Sequence, residues 1–185
     1  MVNKIVCLTG LCGSGKSVAG EYFTKKGYQY VRFGDLTMDI LKEREMEVNE
    51  VNERMIREEL RQKHGMAAFA LLNLEKFENF LKKGGVIADG LYSFEEYKVM
   101  KKHFGEKMVV ITIYAPPQLR YQRLKNRKVR PLSAADAESR DYAELEKLNK
   151  GGTIAMADFT FTVINNKDVN YLFKQLDEIK VEIEK

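Results

Sequence analysis

Cysteine is scarce in this chain: its 185 residues include two, Cys7 and Cys12. Two thiols cannot build a disulfide framework, and they lack the Cys/His spacing of a zinc site. A reducing compartment, the cytoplasm, is therefore expected. Histidine is as rare, and His64 and His103 both read as exposed helical residues. Long apolar runs are missing too. Charged or polar residues interrupt each one well before the roughly 18 residues that a membrane-crossing helix needs, so no membrane partner is expected. The apolar stretch at 4–8 is cut short by Thr9 and Gly10, and lacks the core and cleavage site of a secretory signal. No charge of one sign dominates, because 31 Lys and Arg face 27 Asp and Glu. The formal +4 is too small to mark nucleic acid or lipid as the partner. Repeats, low-complexity tracts and linker-like boundaries are absent. What remains is 44% apolar and 31% charged residues, the balance of a soluble globular chain with a buried core. The length fits a single domain over 1–185, expected as a monomer or homodimer.

Apolar and helical patterns alternate along the chain. The β-rich run at 4–8 is followed by a glycine-rich loop and a helix over 16–26 that stops at Gly27. A second strand spans 28–33, and Gly34-Asp35 then gives a turn and a helix cap before Leu36. Residues 36–83 carry apolar side chains at helical spacing and predict two or three helices, closed by Gly84-Gly85. Further on, the pattern predicts strands over 86–88, 108–115 and 159–164, with helices over 93–103, 117–128, 136–149 and 169–184. A loop is expected at 131–135, and Gly151-Gly152 reads as a break. Strands separated by helices imply an α/β fold with a mostly parallel sheet and helices on both faces.

Gly10-Leu11-Cys12-Gly13-Ser14-Gly15-Lys16-Ser17 satisfies the pattern G-x-x-x-x-G-K-[ST] between a predicted strand and a predicted helix, the context that gives the pattern meaning. Glycines let successive amides converge on phosphate oxygens, and the following helix adds the positive end of its dipole. Lys16 can then reach the β and γ phosphates of ATP, while the Ser17 hydroxyl can ligate Mg²⁺. Gly10, Cys12, Gly13, Ser14, Gly15, Lys16, Ser17 and Val18 form the expected nucleotide-binding set. Cys12 reads as a small loop side chain and Cys7 as a core residue.

A phosphate cradle alone does not separate a kinase from a GTPase, an ATPase or a binding module. Ligands in open α/β sheets gather beyond the C-terminal strand edges, where Asp35 and Asp89 are also expected. A carboxylate there can orient Mg²⁺ or accept a proton from the acceptor, so Lys16, Asp35 and Asp89 are candidate catalytic residues, and Ser17, Asp35 and Asp89 candidate metal ligands. Arg120, Arg123, Arg127 and Arg130 recur every three or four residues, with no acid between them. A basic helix followed by Pro131-Leu132-Ser133 has the character of a lid whose guanidinium groups, Arg123 and Arg127 above all, stabilise a transferring phosphoryl group. The stripe lacks interleaved aromatics beyond Tyr121, which argues against nucleic acid.

These residues together resemble the P-loop small-molecule kinases, that is the nucleoside monophosphate kinases and dephospho-CoA kinase, and most closely the adenylate-kinase-related family. The resemblance runs through the glycine loop, Phe33-Gly34-Asp35, residues 60–66, Asp89-Gly90, Ala115-Pro116-Pro117 with Arg120 and Arg123, Arg130-Pro131-Leu132-Ser133, Arg140-Asp141 with Glu144, and residues 154–158. It implies a three-layer α/β/α P-loop NTPase fold with a five-stranded parallel sheet of order 2-3-1-4-5. It also implies a helical acceptor-binding insertion at 36–83, a lid at 125–145 and Asn165 near the adenine base. The implied activity is phosphoryl transfer from ATP to a small nucleotide-like acceptor. Asp89-Gly90 and the long insertion favour a nucleoside or deoxynucleoside monophosphate, whereas Phe33-Gly34-Asp35 and Ala157-Asp158 favour dephospho-CoA. One departure stands out. Relatives tend to carry arginine two residues after the glycine of Asp-Gly, where it holds the acceptor phosphate, and this chain has Tyr92. A neutral hydroxyl replaces a charged fork. Arg32, Arg57 and Arg61 are the candidate substitutes, and a slow ATPase or nucleotide-dependent switch is the alternative that Tyr92 favours. Val18 also stands where many such kinases have threonine.

Overall fold

The computed structural model describes residues 3–128, 131–159 and 168–185. Four strands, β1 (Ile5–Thr9), β2 (Gln29–Arg32), β3 (Val86–Asp89) and β4 (Met108–Thr112), make one parallel sheet in the order β2-β3-β1-β4. Ile5 is in register with Val86 and Met108, and Leu8 with Asp89 and Ile111. The first strand is thus central, and its exit lies between the exits of β3 and β4.

Every residue of β1, β3 and β4 is buried, as a parallel sheet covered on both faces requires. Alternation along each strand divides the core in two. Ile5, Cys7, Met108 and Val110 face one way, against α2 (Asp35–Glu43), α3 (Glu50–His64), α4 (Ala68–Leu81) and α5 (Phe94–Phe104). Val6, Leu8, Val109 and Ile111 face the other way, against α1 (Lys16–Lys25) and α9 (Val169–Ile183). Between β4 and α9 lie α6 (Pro117–Asn126), α7 (Ala134–Glu146) and α8 (Lys150–Ala155).

Local chemistry sets the boundaries. Asn49 caps α3 by accepting from the Asn52 amide at 2.9 Å, and Ser93 with Glu96 forms a reciprocal capping box on α5. The Ser93 hydroxyl also donates to the Met66 carbonyl at 2.8 Å, tying the α3–α4 turn of the insertion to the start of α5. Pro117 opens α6, where its missing amide costs nothing.

Several expectations change. The sheet has four strands among the described residues rather than five; the expected fifth, at 159–164, lies outside them except for Phe159, which bridges in parallel to Ile111 of β4. Gly151-Gly152 is not a break, because both glycines sit inside α8. A Cβ on Gly152 would stand 3.0 Å from the Phe94 ring, so this glycine lets α8 press against α5. Asp35 is the first residue of α2, not its cap, since Gly34 takes that place. The basic helix ends at Asn126, which leaves Arg127 in extended backbone rather than on the helix face. Among the described residues, no helix is long and apolar enough to cross a membrane.

Where α1 crosses β2 the spacing is tight: a Cβ on Gly20 would lie 2.3 Å from the Tyr30 ring. The substitution Gly20→Ala should therefore destabilise the fold by about 1–2 kcal/mol in urea denaturation, with the clash outweighing the roughly 1 kcal/mol that alanine gains in a helix.

Candidate active site

The glycine loop leaves β1 with Gly10 at φ +134° and turns again at Gly13, φ +80°. A Cβ on Gly10 would fall 2.2 Å from the Ile113 carbonyl oxygen, and one on Gly13 would fall 2.9 Å from that of Arg120. Only glycine lets the loop curl between the exit of β4 and α6. Helix α1 begins directly behind it at Lys16 and has no acid in its first turn and no side-chain cap. Its first amides are left for an anion. The Ser14 hydroxyl oxygen is buried with no hydrogen-bond partner among the described residues.

The Lys16 ammonium folds back onto the loop, donating to the carbonyls of Gly10 at 2.8 Å and Leu11 at 3.1 Å. Desolvation, and then the nearby charge of Lys150, lower its pKa to about 8. Ser17, the second residue of α1, is exposed beside the loop, whereas Val18 packs against the core beneath α1. Cys12 is half-buried and its carbonyl is taken up by Arg120.

Asp89 ends β3 next to Leu8, is buried, and accepts a hydrogen bond from the Tyr30 hydroxyl. It is also one of the two carboxylates that favour the charged form of Lys16, the other being Glu144. Asp35 lies half-buried at the start of α2, just past β2. The two aspartates both lie within electrostatic reach of Tyr30. The sheet edge thus brings Asp89 to the loop and keeps Asp35 one strand further out.

The arginines separate. Arg120 points inward: it is 2% exposed, bonds to the carbonyls of Ala115 and Cys12, and pairs with Asp141 at 2.7 Å. Arg123 reaches the carbonyls of Gly13 and Ser14 at 3.3 and 3.4 Å, directly beside the cradle. Arg127 is half-buried just past α6. Arg130 and Asn165 lie outside the described residues. Of the three candidate substitutes for an acceptor arginine, Arg32 is exposed at the end of β2, and Arg57 is beside Glu53 at 3.3 Å. Arg61 lies over the Phe69 ring, with a buried Nε that has no hydrogen-bond partner among the described residues.

Sequence reasoning missed Lys150. It is 1% exposed, its ammonium is 2.6 Å from Glu144, and it stands 4.4 Å from the centre of the Tyr92 ring. Burial pushes the Glu144 pKa up, but Lys150, Arg140 and Lys16 outweigh it and hold the carboxyl below its ordinary range. Glu96 was missed as well, although Ser-x-x-Glu at 93–96 is a readable capping signal. One Glu96 oxygen accepts from the amides of Tyr92 and Ser93, while the other is buried without a partner among the described residues, and burial raises its pKa to about 7.

A strand, a glycine loop and a helix bearing Lys16, with a neighbouring strand ending in Asp89, define a P-loop kinase-like domain. Residues 6–147 match the family described as AAA domain. The chain belongs to the UPF0200 family. It is 36% identical over 159 residues to a UPF0200 protein of Thermococcus onnurineus, covering 84% of this chain and 85% of that one. With a UPF0200 protein of Methanocaldococcus jannaschii it shares 35% over 183 residues, covering 97% and 90%. Among solved structures, TT1252 of Thermus thermophilus superposes with a TM-score of 0.59 at 19% identity, over 97% of each chain. Shikimate kinase of Bacteroides thetaiotaomicron gives 0.58 at 18% identity over 98% and 99%, and a gluconokinase of Sinorhizobium meliloti gives 0.54 at 14% over 98% and 96%. At these identities the likeness shows the fold.

The lowered pKa of Lys16 has a measurable outcome. A phosphate needs the charged lysine, so in the free chain binding competence is high at pH 7 and declines as pH rises through about 8. Affinity for a nucleoside triphosphate should fall roughly tenfold between pH 7 and pH 9 by calorimetric titration, with proton uptake on binding at the higher pH. Lys16→Ala should bind weakly and lose this dependence.

Proposed function

We propose that the chain is an ATP- and Mg²⁺-dependent phosphotransferase whose acceptor is a small nucleotide-like molecule, a nucleoside or deoxynucleoside monophosphate before dephospho-CoA. The observation that carries this reading is the glycine loop with Lys16 at the exit of β1, beside Asp89 at the exit of the neighbouring β3, with the first amides of α1 left for an anion. Kinases among the structural neighbours share the fold on which such a site is built.

In this reading the loop amides and Lys16 hold the β and γ phosphates, and the reaction is a direct in-line transfer with no covalent enzyme intermediate. The oxygen donors of Ser17, Asp35 and Asp89 suit a hard cation and would hold Mg²⁺. Mg²⁺ supplies charge neutralisation at the phosphate oxygens when bound. Asp35 or Asp89, the latter held by the Tyr30 hydroxyl, orients the acceptor. Arg123 and Arg127, at the base of a lid over 125–145, neutralise the group in transit. The helical insertion at 36–83 receives the acceptor, and Arg61 is its best-placed cation.

The test is ADP release from ATP and Mg²⁺ with the common nucleoside and deoxynucleoside monophosphates and dephospho-CoA added one at a time. Turnover stimulated by one acceptor, and reduced at least a hundredfold in a folded Lys16→Ala variant, is the expected result. Slow turnover indifferent to every acceptor would replace the kinase reading with an ATPase or nucleotide-dependent switch, the reading that Tyr92 favours.

A further inference from the structure

Lys150 is the least expected charge in the molecule. A lysine with 1% exposure is rare unless paired, and an apolar side chain would pack α8 against α5 without the desolvation penalty. Its position is not arbitrary. The ammonium stands 2.6 Å from Glu144 of α7 and 4.4 Å from the centre of the Tyr92 ring beyond β3, and its charge acts on Lys16, the first residue of α1, more strongly than any other charged group. Arg140, one turn before Glu144, bonds the other oxygen of that carboxylate at 3.2 Å.

The seam therefore holds three cations, Lys16, Arg140 and Lys150, around the single carboxylate of Glu144. A second acid, Asp89, is in reach of Lys16 and accepts from the neutral Tyr30 hydroxyl, so three cations face two carboxylates. Such a cluster is short of negative charge, and an entering phosphate would make up the difference. The Tyr92 ring fixes where the lysine stands, since its π face attracts an ammonium and has no charge of its own to offer a phosphate.

We propose that Lys150 is a phosphate-contacting residue, which together with Lys16 bonds the terminal phosphate of a bound nucleoside triphosphate, with Glu144 as its resting counter-ion and Tyr92 as its platform. The inference rests on the reading of the glycine loop as a triphosphate site and adds a residue to it. Glu144 occupies, in the nucleotide-free chain, the role that the terminal phosphate takes over. Because a diphosphate lacks that group, Lys150 distinguishes ATP from ADP.

The experiment is calorimetric titration of the full chain, with Mg²⁺ present, using a non-hydrolysable ATP analogue and ADP. In Lys150→Met the affinity for the triphosphate should drop about tenfold or more while that for ADP changes less than threefold, as the loss of one charge-assisted bond predicts. Lys150→Arg should keep most of the preference. Equal losses for both nucleotides, or no loss for either, would overturn the proposal and make Lys150 a packing residue. Should Lys150→Met fail to fold, Tyr92→Leu carries the same comparison, for it removes the platform and leaves every charge in place. It should lower the triphosphate-to-diphosphate preference at least threefold, and an unchanged preference overturns the proposal. A wild-type chain that binds neither nucleotide would overturn the triphosphate-site reading itself, whereas one that binds both, with a ratio unmoved by these variants, defeats only the role of Lys150.

Discussion

A buried guanidinium loses more in desolvation than it gains unless its nitrogens are hydrogen-bonded, and all three nitrogens of Arg120 are, through partners on three separate segments. Its Nε bonds the carbonyl of Ala115 past β4, its fork takes the carbonyl of Cys12 in the glycine loop, and it closes on Asp141 of α7. Tyr121 donates to the same carboxylate. The loop, the exit of β4 and α7 are thus fixed to one another through one side chain. The rest of the site follows from that joint. With Asp141 held, Arg140 and Glu144 come to rest near the phosphate loop, and Glu144 in turn fixes Lys150 at the start of α8.

The fold was legible wherever a pattern depends on neighbours in sequence. Alternating strands and helices, the glycine loop and the Asp89-Gly90 turn all follow local rules, and the order of the first four strands agrees with the resemblance to P-loop kinases. What could not be read depends on partners far along the chain. Arg120 belongs by spacing to an exposed basic stripe, and only the acid 21 residues later turns it inward. Lys150 precedes two glycines and has every local mark of a loop residue, yet Glu144 and the Tyr92 ring bury it. The glycine pair misled for a related reason. Gly152 serves the close approach of Phe94 of α5, a contact between helices separated by β4, α6 and α7, and no window around residue 152 carries that information.

Tyr92 changes meaning once its surroundings are known. By the resemblance to P-loop kinases alone, it stands where a charged fork is expected. In the folded chain its ring covers Gly90 and seats a lysine from another helix, so the charge at this corner comes from α8 and not from β3. A position read as the loss of one cation is thus, in the folded chain, the seat of another from a different element.

The helix that follows the phosphate loop is covered by the helix furthest from it in sequence. Ala19, Tyr22 and Phe23 of α1 pack with Leu172, Leu176 and Ile179 of α9, and Tyr22 bonds to Asp177, 155 residues away. The backing of the nucleotide cradle therefore depends on an element 155 residues downstream. Until α9 has left the ribosome, the back of α1 stays uncovered. A chain interrupted before α9 thus keeps the loop sequence intact while leaving its supporting helix open on one face.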